Sequence, residues 1–503
     1  MHVERELKFR LAAASASRVW SLVPRSAPVR RRVLESVYYD TADQRLRAAR
    51  AALRLRRDGR RWLICFKHDA APASGLAQRH EWEAAVARRA LALDALPLAE
   101  IRAAAGIDLK ALASRLAPVF GTHFMRRSST FALDGGTRVE LGLDHGHVVA
   151  ARRRAPIDEL ELELRDGELP AMLEFAERLI EPLGLELEPL SKAERGYRLA
   201  AGERAAPVKG RWPSLSRRGS AEDTMRAVLE ASLAQVEGNL GGVARAKDPE
   251  YLHQFRVGMR RMRSALRVFQ ELGPRDTFRV QANGLKELMP ELGAARDWDV
   301  FCAQLTELAR AEGTDAPQLA RLLRRARARR AAARKAARAL AGSARMQRFL
   351  LGMMRWLHEA RWHANRAAEP RPSRSLARYA ARALARQERK VLREGEKADR
   401  RDASQRHRLR IRVKRLRYAC EPFAGLYGRA AVRRYLERLE SLQDILGELN
   451  DIAVGRRLLA ELRSDRGDPD AEFMRGWYVA REYALGVQLE DAWRAWRKTR
   501  SPW

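Results

Sequence analysis

The chain has 503 residues, enough for two to four domains and a sizeable core. Its 46 % hydrophobic and 32 % charged residues exclude an intrinsically disordered chain, and its three cysteines exclude a disulfide framework. A formal charge of +34 exceeds what any fold needs, so it points outward to nucleic acid, anionic lipid or another polyanion. The opening Met1-His-Val-Glu-Arg5 is charged at once, unlike a secretory signal, and no run of about 18 apolar residues marks a membrane span. A cytoplasmic protein without a membrane partner is expected.

In chain order, residues 1–200 read as strands with a few helices. Short runs at Val3–Phe9, Ala52–Arg57, Trp62–Lys67, Glu81–Val86, Thr130–Asp134, Arg138–Leu143 and Leu160–Leu164 mostly alternate polar and apolar residues, the period of a strand. Asp58-Gly59 and Asp134-Gly135-Gly136 predict hairpin turns. Helices are expected near Ala12–Leu22, Leu98–Leu116 and Leu169–Leu183. Several strands carry charge on one face: Glu4, Glu6 and Lys8; Arg54 and Arg56; Glu81 and Glu83; Glu159, Glu161 and Glu163. One such strand would read as an ordinary solvated face. Together they suggest a sheet lined on one side by acids and cations, which closed into a barrel makes a charged interior. Such an interior survives by binding ions: carboxylate oxygens hold hard divalent metals, and Arg and Lys hold phosphate. The chemistry implied is phosphoryl transfer, and no Walker loop or dinucleotide fingerprint competes with it.

Residues 201–219 carry Gly, Pro and Ser without a period and read as a linker. Ser220 then opens a helix, with Asp223 placed as a capping acid. Residues 220–503 are nearly all helical. They also hold the basic excess: residues 1–200 contain 34 Lys+Arg against 27 Asp+Glu, a net +7, which leaves +27 for the rest. A repeat runs through this half at an offset of 154: His253 to Arg263 matches His407 to Arg417, and Leu292 to Asp297 matches Leu446 to Asp451. It divides the half into two related subdomains, about 220–370 and 371–503. In the first copy His253, Arg256, Arg260, Arg263 and Arg267 step by threes and fours along one helix face, beside an apolar face of Phe255, Met259, Met262 and Leu266. In the second, His407, Arg410, Lys414 and Arg417 repeat the stripe beside Leu409, Val413 and Leu416. The run Arg324–Arg338 reads as a solvated face. The duplicated stripes differ because cations recur at matching positions with little acid beside them, a repulsion that a polyanion relieves.

Glu4-Arg-Glu-Leu-Lys8 resembles the Glu-x-Glu-x-Lys signature of the CYTH superfamily, the triphosphate tunnel enzymes. Further matches follow in the family's order: Tyr39-Asp-Thr41, Leu53-Arg-Leu-Arg56, Phe66-Lys67, Glu81, Arg126, Val139 to Asp144 with Gly146, Glu161-Leu-Glu163, and Ser191 to Tyr197. The resemblance covers residues 1–200, and residues 220–503 resemble a CHAD domain. It implies a multidomain α+β protein, an eight-stranded antiparallel β tunnel followed by a duplicated all-α bundle. By position, Glu4, Glu6, Glu161, Glu163, Asp144 and Glu81 are expected to bind Mg²⁺ or Mn²⁺, and Lys8, Arg54, Arg56, Lys67, Arg126 and Lys192 to grip triphosphate. The resemblance leaves open whether Arg126 or Arg127 points inward, and where the general base lies. In the CHAD-like half it implies inorganic polyphosphate on His253, Arg256, Arg260, Arg263, His407, Arg410, Lys414 and Arg417, with polyphosphate granules as a possible location. The leading expectation is a metal-dependent inorganic triphosphatase. The rivals are a tunnel enzyme acting on an organic triphosphate, as thiamine triphosphatase or adenylate cyclase, and a non-catalytic polyphosphate binder. Nucleic acid is less favoured as partner, because the basic stripes lack interleaved aromatics for stacking bases.

Overall fold

The computed structural model describes residues 2–24, 28–69, 76–311, 317–359, 375–462 and 469–503. Nine strands come first: β1 (His2–Arg10), β2 (Arg30–Asp40), β3 (Ala51–Asp58), β4 (Arg61–Asp69), β5 (Leu76–Val86), β6 (Ala117–Ala132), β7 (Arg138–Ala150), β8 (Arg153–Asp166) and the short β9 (Glu186–Leu187). Antiparallel pairing runs β5-β4-β3-β2-β6-β7-β8-β1, and β1 pairs back onto β5, so eight strands close into a barrel. Among the described residues closure removes every edge except one: β9 pairs with the end of β1, Phe9 opposite Leu187 and Arg10 opposite Glu186. Five helices accompany the strands: α1 (Arg45–Ala48), α2 (Leu98–Ala105), α3 (Leu109–Leu112), α4 (Leu169–Leu183) and α5 (Lys192–Ala201).

The alternation read from the sequence sets which residues face in. Glu4, Glu6 and Lys8 share one face of β1, while Leu7 and Phe9 are fully buried in its packing. Outside β3–β5, the apolar residues Leu53, Leu55, Ile64, Phe66 and Trp82 pack beneath α1–α3 with Leu46, Ile101 and Leu109. Several expectations differ from what is found; the strand expected over Thr130–Asp134, for one, is the end of the longer β6. The strand β2 goes unpredicted, because its burial alternates from Leu34 while its polarity does not: Ser36 and Asp40 are on the buried face with Leu34 and Tyr38. The helix expected over Leu98–Leu116 breaks at Gly106, which caps α2 in the left-handed region, leaving one turn as α3.

Residues 203–216 carry no helix or strand. Beyond them come α6 (Ala221–Arg245), α7 (Pro249–Phe269), α8 (Arg275–Ala311), α9 (Pro317–Gly342), α10 (Ala344–Glu359), α11 (Leu376–Lys397), α12 (Ala403–Phe423), α13 (Arg429–Glu461) and α14 (Pro469–Arg497). The Ser220 hydroxyl caps α6 by accepting from the Asp223 N–H at 3.0 Å. The 154-residue repeat extends to the helix caps: Asp248 caps α7 and Asp402 caps α12, each through its side chain. The four helices α6–α9 thus correspond to α11–α14. The subdomain boundary expected near residue 370 lies outside the described residues.

One helix has no counterpart. The chain forms two compact units, residues 2–207 with 341–359, and residues 208–340 with the described residues from 375 onward. Helix α10, which the sequence places inside the helical half, therefore belongs to the barrel unit. The reason is apolar: Met346, Leu350, Leu351, Met353 and Met354 are fully buried, and α4 supplies the matching face of Leu169, Met172, Leu173, Ala176, Leu179 and Ile180. Charges on the rim agree, with Arg355 3.5 Å from Glu177.

Candidate active site and cation cluster

The barrel encloses a cavity of about 730 Å³. Glu4, Glu6, Lys8, Arg54, Arg56, Lys67, Glu81, Arg126, Glu161, Glu163 and Lys192 all line it. Asp144 lies behind this lining, wholly buried against Arg126 and Lys192. The register decides the parity question on β6. Arg126 stands opposite Asp144 and donates to it through Nε at 2.7 Å and Nη2 at 2.6 Å, whereas the Arg127 guanidinium lies over the Trp20 ring, 5.0 Å from its centroid.

The carboxylates fall into groups. Lys192 Nζ, at the first turn of α5, reaches Asp144 and Glu159 at 2.7 Å and Glu161 at 2.6 Å. Arg126 also donates to Glu161. Burial alone would raise the Glu161 pKa, but Lys192 and Arg126 hold it well below the usual carboxylate range. Across the cavity Lys67 bonds both oxygens of Glu4, at 2.8 and 2.7 Å, and lies 3.2 Å from Glu81. Burial opposes ionisation of Glu4, yet Lys67 draws its pKa down to about 2.

Between these groups the charges do not balance. Glu6 and Glu163 are direct cross-strand neighbours on β1 and β8. Burial and the nearby Glu161 push the Glu6 pKa up to about 7, although Lys8 is 2.9 Å away. Burial and Glu4 push Glu163 to about 8. The opposite surplus is cationic. Burial and the neighbouring Arg54 depress the Arg56 pKa, Arg126 adds to the repulsion, and no carboxylate among the described residues pairs with Arg56. Arg54 reaches the Tyr38 hydroxyl at 3.4 Å, and this tyrosine's pKa is lowered despite burial, chiefly by Arg54.

Sequence reasoning missed lining residues, among them Arg79, two before Glu81, and Arg165, two after Glu163, so strand parity was the signal for both. Arg165 holds Glu163 at 2.7 Å, and Arg79 lies 3.7 Å from Glu6. The expected metal ligands also do not form one cluster. Among the described residues, ligand atoms within 4.8 Å of one another come from Asp144, Glu159 and Glu161, and from Cys65, Glu81 and Glu83. The all-oxygen group already surrounds the Lys192 ammonium, so the crowded Glu6–Glu163 pair is the part of the cavity that suits a hard divalent cation, which would relieve its carboxylate repulsion.

In the helical unit the two predicted stripes meet in part. Burial and Arg260 lower the Arg256 pKa to about 10. Burial, Arg410 and Arg260 lower the Lys414 pKa to about 7. Arg260 of α7 thus acts on Arg410 and Lys414 of α12, and it donates to Tyr418 of α12 at 3.1 Å. Asp297 of α8 and Asp451 of α13, equivalent in the repeat, flank this quartet, and burial raises the pKa of both. The ends of the stripes separate from it. Arg417 is taken up by Gln443 at 2.7 Å and Glu421 at 2.9 Å, while Arg263 acts on Arg415 and Arg267. His407 pairs through Nδ1 with Asn450 at 2.9 Å, and burial and Arg296 lower the His253 pKa.

A closed eight-stranded barrel with this lining defines a CYTH-type tunnel, and the duplicated helices define a CHAD-type bundle. A CYTH domain profile matches residues 2–197 and a CHAD domain profile matches residues 227–460. The chain belongs to the CHAD family, carrying a CYTH domain ahead of its CHAD domain. It is similar to the CHAD domain crystal structure from the plant Ricinus communis, at 31 % identity, covering 59 % of this chain and 99 % of that one, with a TM-score of 0.52. The inorganic triphosphatase of Haemophilus influenzae is 28 % identical over 188 residues, 36 % of this chain and 49 % of that protein, so the chain spans about half the length of this curated relative. No helix among the described residues is long and apolar enough to cross a membrane.

Proposed function

We propose that the tunnel hydrolyses inorganic triphosphate with Mg²⁺ or Mn²⁺ and that the CHAD unit binds inorganic polyphosphate. The observation that carries the reading is the pair of opposite surpluses in one cavity. Glu6 and Glu163 crowd one part, and in another Arg54 and Arg126 repel Arg56, which has no carboxylate partner among the described residues. A metal–triphosphate complex answers both, its cation against the carboxylates and its phosphates against the guanidiniums. When bound, the metal supplies neutralisation of phosphate oxygens. The chain's own part is to hold the phosphates in line: Lys192 and Arg126 are themselves fixed by Asp144, Glu159 and Glu161, so their positions are set before substrate arrives. The triphosphatase relative and the CHAD family resemblance support the same reading.

The test is phosphate release from tripolyphosphate, ATP, thiamine triphosphate and long polyphosphate, with and without Mg²⁺ or Mn²⁺. The reading expects metal-dependent release, fastest from tripolyphosphate, and its loss in Glu4→Gln and Glu6→Gln. Faster turnover of ATP or thiamine triphosphate favours the organic-substrate rival. No release from any of them favours the non-catalytic binder.

A further inference from the structure

We infer that Gln347, carried on α10, 160 residues beyond Leu187 of β9, is a positioning residue for the tunnel, holding β9 and through it Lys8 and the approach to Lys192. The inference rests on the reading of the tunnel as a triphosphate site.

The chain of contacts is short. Gln347 is fully buried. Its Oε1 accepts from the Leu187 N–H at 3.0 Å, and its Nε2 donates to the Ala341 carbonyl at 3.0 Å. Both ends of one buried amide are thereby used, which fixes its orientation. Leu187 belongs to β9, the only strand of the sheet among the described residues with an uncovered edge, and its N–H points away from β1. Left unpaired in a buried setting, that N–H would cost on the order of 1–3 kcal/mol. A side chain from a distant helix does the work of a missing strand.

β9 is placed to transmit this. Next to it, the Glu188 N–H donates to the Lys8 carbonyl at 2.9 Å, on the strand that carries Glu4, Glu6 and Lys8. The Glu188 carboxylate then accepts from the Leu190 N–H at 3.2 Å, and Ser191 caps α5 by accepting from the Glu194 N–H at 3.0 Å. The next residue is Lys192, whose ammonium holds three tunnel carboxylates. From Leu187 to Lys192 is five residues of chain, pinned by the Glu188 and Ser191 side chains, and shifts of about 1 Å at a catalytic cation cost up to roughly a hundredfold in rate.

Gln347→Met in the full-length chain keeps length and approximate volume while removing both hydrogen bonds. Two readouts decide. Hydrogen exchange followed by mass spectrometry should show faster exchange over 186–192 and unchanged exchange over β3 and β4. Tripolyphosphate turnover should fall about tenfold in kcat with KM within about twofold. Gln347→Glu, whose carboxylate still accepts from Leu187, should recover part of both. Wild-type exchange over 186–192, a uniform rise across the unit, or local loosening with kcat unchanged each overturns the inference. If the unaltered chain releases no phosphate from tripolyphosphate, the functional reading fails, and the exchange measurement still decides whether Gln347 holds β9. Should the Met variant not accumulate as folded protein, the unaltered chain serves. Held by Gln347, the Leu187 amide exchanges as slowly as those of β1; exchange at the rate of a free edge overturns the inference.

Discussion

Arg56 is a buried guanidinium without a carboxylate partner among the described residues, while its neighbours Arg54 and Arg126 each have one. It is therefore the cation with most to gain from substrate phosphate. Arg56→Ala should lower kcat by about 10²-fold, comparable with removal of one preorganised donor elsewhere. Steady-state kinetics on tripolyphosphate checks it, and a rise in KM alone would assign Arg56 to ground-state binding. Gly196 makes a second case. A Cβ built there would stand 2.1 Å from the Phe120 ring, so α5 lies on β6 only because residue 196 has no side chain. Gly196→Ala should push α5 outward, costing about 1–3 kcal/mol and lowering turnover by displacing Lys192. Thermal melting and kinetics together test this; unchanged values in both would mean that the helix rides over the extra methyl freely. Both residues were visible in the sequence as parts of motifs, but their reasons were not. Alternation shows that Arg56 shares a face with Arg54 and cannot show which of them lacks an acid. Parity likewise could not choose Arg126 over Arg127 before the β6–β7 register was known.

At the scale of elements, strands that alternate from their first residue were legible, and α4, with apolar residues at steps of three and four, was read to its ends. The strand β2 was not, since the polar Ser36 and Asp40 sit on its buried face, so its burial alternates where its polarity does not. The duplicated helices were legible as stripes, but how α7 meets α12 depends on packing between residues 154 apart. That meeting brings Arg260 to Lys414, and burial, with Arg410 of its own helix and Arg260, lowers its pKa from an ordinary 10.5 to about 7. The sign for binding follows. A phosphate chain restores the charge, so the bound pKa is higher than the free one, and protons are taken up on binding above pH 7. Polyphosphate affinity should fall as pH rises from about 7 toward 9, by up to tenfold per unit for one linked proton. Lys414→Arg, whose charge does not titrate there, should flatten that slope. For stability the sign is opposite: the unfolded chain holds the Lys414 proton between pH 7 and 10.5, so this residue favours folding as pH rises through that window. Isothermal titration of polyphosphate in buffers of different ionisation enthalpy reads the proton uptake directly. Equal slopes for the parent and Lys414→Arg would remove Lys414 from the binding surface. Steep weakening with salt is expected in both, since each cation–phosphate contact releases counterions.

At the scale of the whole molecule, the sequence divides at a linker, but the folded units do not divide the chain into two consecutive pieces. The repeat explains why this was hidden. α10 shares the Arg- and Leu-rich composition of its neighbours, and only the correspondence of α6–α9 with α11–α14 leaves it as an extra element between two copies. Its apolar face is not marginal to the barrel unit. Met346, Leu350, Leu351, Met353, Met354 and Leu357 are buried, at roughly 1.5–3 kcal/mol each for full burial. Together that rivals the whole net stability of a domain, about 5–15 kcal/mol. Without α10, the apolar face of α4 that packs on it would face water, and the Leu187 N–H would lose its acceptor. Residues 1–207 expressed alone should therefore be poorly soluble, or melt far below the full chain. Residues 1–207 joined through a long Gly/Ser linker to 341–359 should regain both solubility and a cooperative transition. Circular dichroism melting of the two forms, with tripolyphosphate hydrolysis as the functional readout, makes the comparison. If residues 1–207 melt like the linked form and hydrolyse equally well, α10 is a passenger on the barrel. If only the linked form is active, a helix lying within the matched CHAD sequence is part of the tunnel enzyme.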